Sequence, residues 1–223
     1  MKPRHAVAGL VPLAALVLGA ATPSAVAADE DSFSFAFTTA KAKSAAGYSM
    51  EAEFPTQRII DQLTITLPRG TKVDTRAVPR CTATSEQAEE QPLSELCPSG
   101  SLVGTGKGSA FIADNPTPTT FDLEYYNFGF GAVISILLNG NQAFTSPVRY
   151  KGRKQVIDLS LTPDLNARIV SFSLDVDKAG TAKKPLFRTP LTCPKNRKLT
   201  ASVTAHEDGD GSVTTRDTSR CKR

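Results

Sequence analysis

Along most of the chain, apolar and polar residues alternate with a period of two. Phe33, Phe35 and Phe37 alternate with small residues, and Leu63, Ile65 and Leu67 with Thr64 and Thr66. Phe121, Leu123 and Tyr125 are interleaved with Asp122 and Glu124, and Ile157, Leu159 and Leu161 with Asp158 and Ser160. Val170, Phe172, Leu174 and Val176 are separated by Ser171, Ser173 and Asp175. Leu199, Ala201, Val203 and Ala205 are separated by Thr200, Ser202 and Thr204. Successive side chains of a strand point to opposite faces, so each run turns one face to a core and the other to water. The run 133–138 is apolar except for Ser135, which predicts a central strand covered on both faces.

Turn signals separate these runs: Pro68-Arg69-Gly70, Asn115-Pro116, Asn139-Gly140-Asn141, Pro163-Asp164 and Asp208-Gly209-Asp210-Gly211. Short strands punctuated in this way predict an all-β domain, an antiparallel β-sandwich of jelly-roll or immunoglobulin-like style. One segment breaks the period. Thr84-Ser85-Glu86-Gln87 has the form of a capping box, Ala88-Glu89-Glu90-Gln91 continues it, and Pro92 stops it. This predicts one short surface helix.

The first residues carry a different pattern. Lys2 and Arg4 precede an apolar stretch at 7–21, and small residues follow up to Ala25-Val26-Ala27. A charged start, a short apolar core and an A-x-A site predict a cleaved signal peptide over 1–27. The remaining residues, 28–223, lack a Gly/Ser or Pro linker and read as a single secreted, extracellular domain. The apolar core is short for a membrane span, and no Cys stands at the cleavage region, so no stable membrane anchor is expected.

Composition narrows the class further. A 40% hydrophobic, 22% charged chain of 223 residues excludes collagen, coiled coil and disorder. Taking Lys2 and Arg4 from 26 basic residues leaves 24 against 22 acidic ones, a net charge of +2. The densest basic runs, 149–154 and 195–198, read as solvated faces, and no nucleic-acid partner is predicted.

Cys81, Cys97, Cys193 and Cys221 all lie beyond the signal segment, and an even count in an exported chain reads as disulfides. Four cysteines allow three connectivities. Locality favours Cys81–Cys97 and Cys193–Cys221, the second closing a hairpin made by the alternating run 199–205 and residues 212–216. No C-x-x-C or neighbouring His supports a metal site. Two segments resemble known sequences. The first runs Leu67-Pro68-Arg69-Gly70, Pro79-Arg80-Cys81 and Cys97-Pro98-Ser99-Gly100-Ser101-Leu102-Val103-Gly104-Thr105-Gly106. The second is Thr189-Pro190-Leu191-Thr192-Cys193-Pro194 with Cys221 after it. Together they resemble a group of secreted, disulfide-containing β-rich proteins of actinobacteria with no assigned activity. That resemblance implies the local disulfide pattern and an all-β domain, and it supplies no catalytic residue. The chain departs from it in the acidic segment 86–95.

No catalytic set or cofactor site assembles from these residues. His206 is the one histidine left after signal removal, and no G-x-S-x-G elbow accompanies it, so it reads as an exposed hairpin residue. The segment 206–217 matches a calcium loop in part, but its first position is His206, its last is Asp217 and its flanks read as strands where the motif needs helices, so it reads as a hairpin turn. Gly104-Thr105-Gly106-Lys107-Gly108-Ser109 lacks phosphate-loop spacing and reads as a glycine-rich edge strand. Asp122 and Glu124 share one strand face with Tyr126. With Tyr125 they form the candidate binding set, extended to a sugar-binding region over Tyr125-Tyr126-Asn127-Phe128. The expected function is an exported, non-catalytic domain that binds or structures a cell-envelope component or polysaccharide. Two alternatives stand beside it: a glycosidase-like hydrolase using Asp122 and Glu124, and a carrier of an apolar ligand between the sheets.

Overall fold

The structure is a computed structural model that describes residues 30–54, 60–112, 115–129, 131–159, 168–207 and 211–223. The predicted signal segment, the Pro163-Asp164 turn and Asp208-Gly209-Asp210 lie outside the described residues. Among the described residues there are fourteen strands: β1 (Ser32–Phe37), β2 (Ala45–Ala46), β3 (Tyr48–Glu53), β4 (Ile60–Thr66), β5 (Lys72–Val73), β6 (Leu102–Phe111), β7 (Thr119–Asn127), β8 (Gly131–Leu138), β9 (Asn141–Lys151), β10 (Lys154–Asp158), β11 (Arg168–Val176), β12 (Phe187–Arg188), β13 (Lys198–Glu207) and β14 (Ser212–Arg220).

The all-β expectation holds. Eleven strands hydrogen-bond into one antiparallel sheet in the order β1-β3-β11-β6-β7-β8-β9-β10-β4-β13-β14, and β2-β12-β5 form a small second sheet. The large sheet curls until its two ends meet: β14 lies against β1, and the Phe35 amide donates to Asp217 Oδ2 at 2.8 Å. Closure of this kind disposes of the unpaired edges that an open sheet would present. Hydrogen bonding therefore runs through a single, nearly closed sheet, and the two separate sheets of a sandwich are not seen in the pairing.

The predicted alternation sorts residues onto the two surfaces of this sheet. Phe33, Phe35, Leu63, Ile65, Leu123, Tyr125, Phe172, Leu174, Ala201 and Val203 all enter the core. β3 follows the same rule, with Tyr48, Met50 and Ala52 buried and Ser49, Glu51 and Glu53 exposed. The run 133–138 falls in β8, between β7 and β9. Ile134 and Ile136 pack inside, and Val133 is covered outside by the residues of the Cys81–Cys97 loop.

β6 corrects one expectation. It is a central strand, paired with β11 on one side and β7 on the other. Gly104, Gly106 and Gly108 occupy inward positions where neighbours come very close. A Cβ on Gly106 would lie 2.0 Å from the Ser173 carbonyl oxygen, and one on Gly108 would lie 2.3 Å from the Phe121 ring. The glycines thus admit a backbone and an aromatic ring, as glycines within strands often do.

The capping box forms as predicted. In α1 (Ser85–Glu90) the Thr84 hydroxyl accepts from the Gln87 amide, and Gln87 Oε1 accepts from the Thr84 amide. The expected single helix is in fact two, because Pro92 both ends α1 and caps α2 (Leu93–Leu96). Both pairs of cysteines are bonded locally, with Cα separations of 4.8 Å for Cys81–Cys97 and 5.6 Å for Cys193–Cys221. Two disulfides indicate an oxidising compartment. No helix among the described residues is long and apolar enough to cross a membrane.

Candidate functional site

β7 carries the four residues singled out by the sequence, and its alternation divides them between two faces. Tyr125 points into the barrel and is fully buried. Its hydroxyl donates to Gln155 Oε1 at 2.9 Å. That uses its only hydrogen, so the Tyr150 hydroxyl, 2.7 Å away, donates to Tyr125. Tyr48 reaches the same Gln155 oxygen from β3 at 3.0 Å. Gln155 Nε2 is buried without a hydrogen-bond partner in this cluster. Burial pushes the Tyr150 phenol up to about 12. Burial first and the neighbouring Tyr150 second hold Tyr48 and Tyr125 well above the ordinary tyrosine range. The three phenols stay neutral donors at any ordinary pH, so they organise the core and do not exchange protons.

Asp122, Glu124 and Tyr126 lie on the outer face. Tyr126 is nonetheless only 2% exposed, because Leu93 and the Cys81–Cys97 bridge cover it. Its hydroxyl donates to Glu124 Oε2 at 2.8 Å. Burial first and this bond second raise its pKa. Asn127 is buried as well, with Nδ2 donating to the carbonyls of Thr75 at 3.0 Å and Pro79 at 2.9 Å. Within the candidate sugar-binding segment Tyr125-Tyr126-Asn127-Phe128, the first three residues are buried and Phe128 is half-buried. Stacking on a sugar needs an open ring face, and both tyrosines spend theirs inside the protein.

What remains on the surface is Asp122 and Glu124, and the sheet brings them new neighbours. Lys107 stands opposite Asp122 and Thr105 opposite Glu124. Beyond β6, Ser173 and Asp175 pair with the same two residues. Together they border an open saddle of about 520 Å³. The Cα atoms of Glu124 and Asp175 are two strand spacings apart, about 10 Å. All three carboxylates stand on the outer face of neighbouring strands of one sheet. Lys107 and Asp175 escaped the sequence reading because their meeting depends on the β11-β6-β7 order. Their polar places in alternating runs were the available signal.

A larger groove of about 810 Å³ separates the two helices from the β8–β9 hairpin. Val133, Leu137, Phe144 and Pro147 line it, as do Glu89, Glu90 and Glu95. Gln142 joins its two walls. Gln142 Oε1 accepts from the Leu93 amide at 3.0 Å and from the Ser135 hydroxyl at 2.8 Å, and Nε2 donates to the Ala88 carbonyl at 2.6 Å. The tight β8–β9 connection that places Gln142 is the predicted Asn139-Gly140 turn, with both residues at positive φ, 54° and 80°.

The remaining candidates have structural partners. His206 Nε2 lies 3.2 Å from the Thr64 hydroxyl on the outer face. The flanks of the 206–217 segment are paired strands, His206 opposite Ser212. Asp217 Oδ2 accepts from Phe35 across the barrel seam. No group of three or more His, Cys, Asp or Glu among the described residues is arranged to hold a metal ion.

No protein-family model matches the chain, and no curated protein matches it in sequence. Among solved structures, it is similar to a DUF4466 family protein from Parabacteroides merdae ATCC 43184. Identity is 6% and the TM-score 0.31, over 84% of this chain and 42% of that one. The chain thus spans less than half of that protein's length.

Proposed function

We propose that this chain is an exported, non-catalytic domain that binds a component at or outside the cell envelope. The observation that carries the reading is the division between a filled interior and a grooved exterior. The interior is occupied by the hydrogen-bonded Tyr48, Tyr125, Tyr150 and Gln155 and by packed aromatics such as Phe35 and Phe187, which fill the space an enclosed apolar cargo would need. Recognition then falls to the outer wall, where the saddle and the large groove lie open. The barrel is read as flattened, its two walls packed as the sheets of a sandwich are. The Tyr48–Gln155 bond from β3 to β10 supports that shape.

The hydrolase reading is kept alive by one observation: the saddle draws carboxylates from two strands, Glu124 of β7 and Asp175 of β11. Two things weigh against it. Glu124 is engaged by Tyr126, and a glycosidase pair must flank the scissile bond from opposing sides. The test is cosedimentation of the mature domain with washed envelope fragments, together with N-terminal sequencing of the exported product. Saturable pelleting and a new N-terminus near Ala28 support the proposal. A retained leader, no pelleting, or glycoside cleavage that is lost in Glu124→Gln and Asp175→Asn would overturn it.

A further inference from the structure

Two basic runs that are far apart in sequence, 149–154 and 195–198, meet on one surface of the barrel. Arg153 from the first and Lys198 from the second line a single groove of about 390 Å³, together with Arg69 from the turn after β4 and Arg216 from β14. All four are exposed. Arg153 is aimed by a hydrogen bond from its guanidinium to the Leu67 carbonyl at 2.8 Å. Among the described residues, no carboxylate lines the groove. Asp217, next to Arg216 in sequence, points to the opposite face and is spent on the Phe35 amide.

The sheet register supplies a second feature. Lys154 pairs with Thr66, Thr66 with Ser202, and Ser202 with Arg216, so these four stand in one outward row across β10, β4, β13 and β14. Its ends are cationic and its middle is hydroxylated. Three strand spacings separate Lys154 from Arg216, about 14 Å. A single small anion cannot span that distance. A polymer with recurring anionic groups and hydroxylated units between them can satisfy the whole row. Guanidinium forks and lysine point charges both suit phosphate oxygens, and a phosphodiester stays ionised at any relevant pH. Because the chain without its leader is nearly neutral, the cationic character belongs to this surface and not to the protein as a whole.

We infer that this groove binds a phosphodiester-linked polyol or sugar polymer of the cell envelope, with Arg69, Arg153, Lys198 and Arg216 holding the phosphates and Thr66 and Ser202 the hydroxyls between them. The inference rests on the reading of an exported envelope-binding domain and names its ligand class. The probe is poly(glycerol phosphate), titrated into the folded mature domain. With four charge contacts and a slope of about −0.7 each, affinity should fall about 50-fold between about 50 and about 200 mM salt. Combining Arg69→Gln, Lys198→Gln and Arg216→Gln should weaken binding at least about tenfold with the melting temperature unchanged, since all three side chains are exposed. Failure of the wild type to bind the polymer would overturn the inference. So would undiminished binding by the triple variant, or equal affinity for polygalacturonate or a single-stranded oligonucleotide of matched charge. If the wild type and the triple variant pellet equally with envelope fragments, the groove is refuted and the envelope-binding reading stands. If the wild type does not pellet at all, that reading itself fails.

Discussion

Removing the Gln142 side chain should undock the helical segment from the barrel without unfolding the barrel. Gln142 ties the helical segment to the β8–β9 hairpin by two bonds, from the Leu93 amide at 3.0 Å and to the Ala88 carbonyl at 2.6 Å, while its bond from Ser135 at 2.8 Å stays within the hairpin. At about 1 kcal/mol net for each of the two bonds that cross to the helices, the ceiling for undocking in Gln142→Ala is about 2 kcal/mol. The groove is open to water, which can take over the Ala88 carbonyl, so the expected loss is about 1–1.5 kcal/mol. At 1.4 kcal/mol per factor of ten, local opening should rise about 5- to 12-fold. A glutamate-specific protease under native conditions reads this directly, because Glu89, Glu90 and Glu95 lie on the segment and cleavage tracks the open population. The Cys81–Cys97 bond spans those sites, so the cut chain should separate only after reduction. Gln142→Glu keeps the acceptor, loses the donor and adds a charge beside three glutamates, so it should open at least as far as Gln142→Ala. Cleavage of either variant at the wild-type rate would refute the reasoning and assign the docking to Leu93 and the disulfide alone.

Three further outcomes follow from the same geometry. Cys193→Ser and Cys221→Ser should each cost about 2–5 kcal/mol, and the double variant no more than either one, measured by denaturant unfolding; additive losses would contradict the bond. Stability should hold below pH 10 and decline above it. Tyr150 has its folded pKa raised from 10.0 to about 12, so the unfolded chain releases protons first. Melting temperature against pH, with tyrosinate absorbance appearing only on unfolding, checks this, and early ionisation of all four tyrosines would contradict it. Asp217→Ala should cost about 1.5–3 kcal/mol as the loss of a charged acceptor and should speed hydrogen exchange at the Phe35 amide. Unchanged exchange there would mean the seam is held by packing.

Several site residues were legible only by halves. Alternation alone places Tyr125 and Tyr126 on opposite faces of a strand, and the structure agrees. It carries no word that both faces are covered at that point, one by the barrel interior and the other by Leu93 and a disulfide loop from elsewhere in the chain. The glycine-rich stretch of β6 was readable as a strand, yet its central position was not. A strand's own residues do not reveal whether β11 will pair on its second side.

Local physics thus set a great deal in advance. The period of two made the strands, the Thr84–Gln87 box and Pro92 made and ended α1, Asn139-Gly140 made the β8–β9 turn, and proximity in sequence matched the cysteine pairs. Each of these depends on residues a few positions apart, or on which side of a strand meets water. The order of eleven strands, the near closure of the sheet, the saddle that joins Asp122 to Lys107 and Asp175, and the meeting of the 149–154 and 195–198 runs were decided only in three dimensions. Backbone hydrogen bonds between strands are the same whichever strands pair, so side-chain packing across the whole core chooses the partners, and the chemistry of the outer wall follows from that choice.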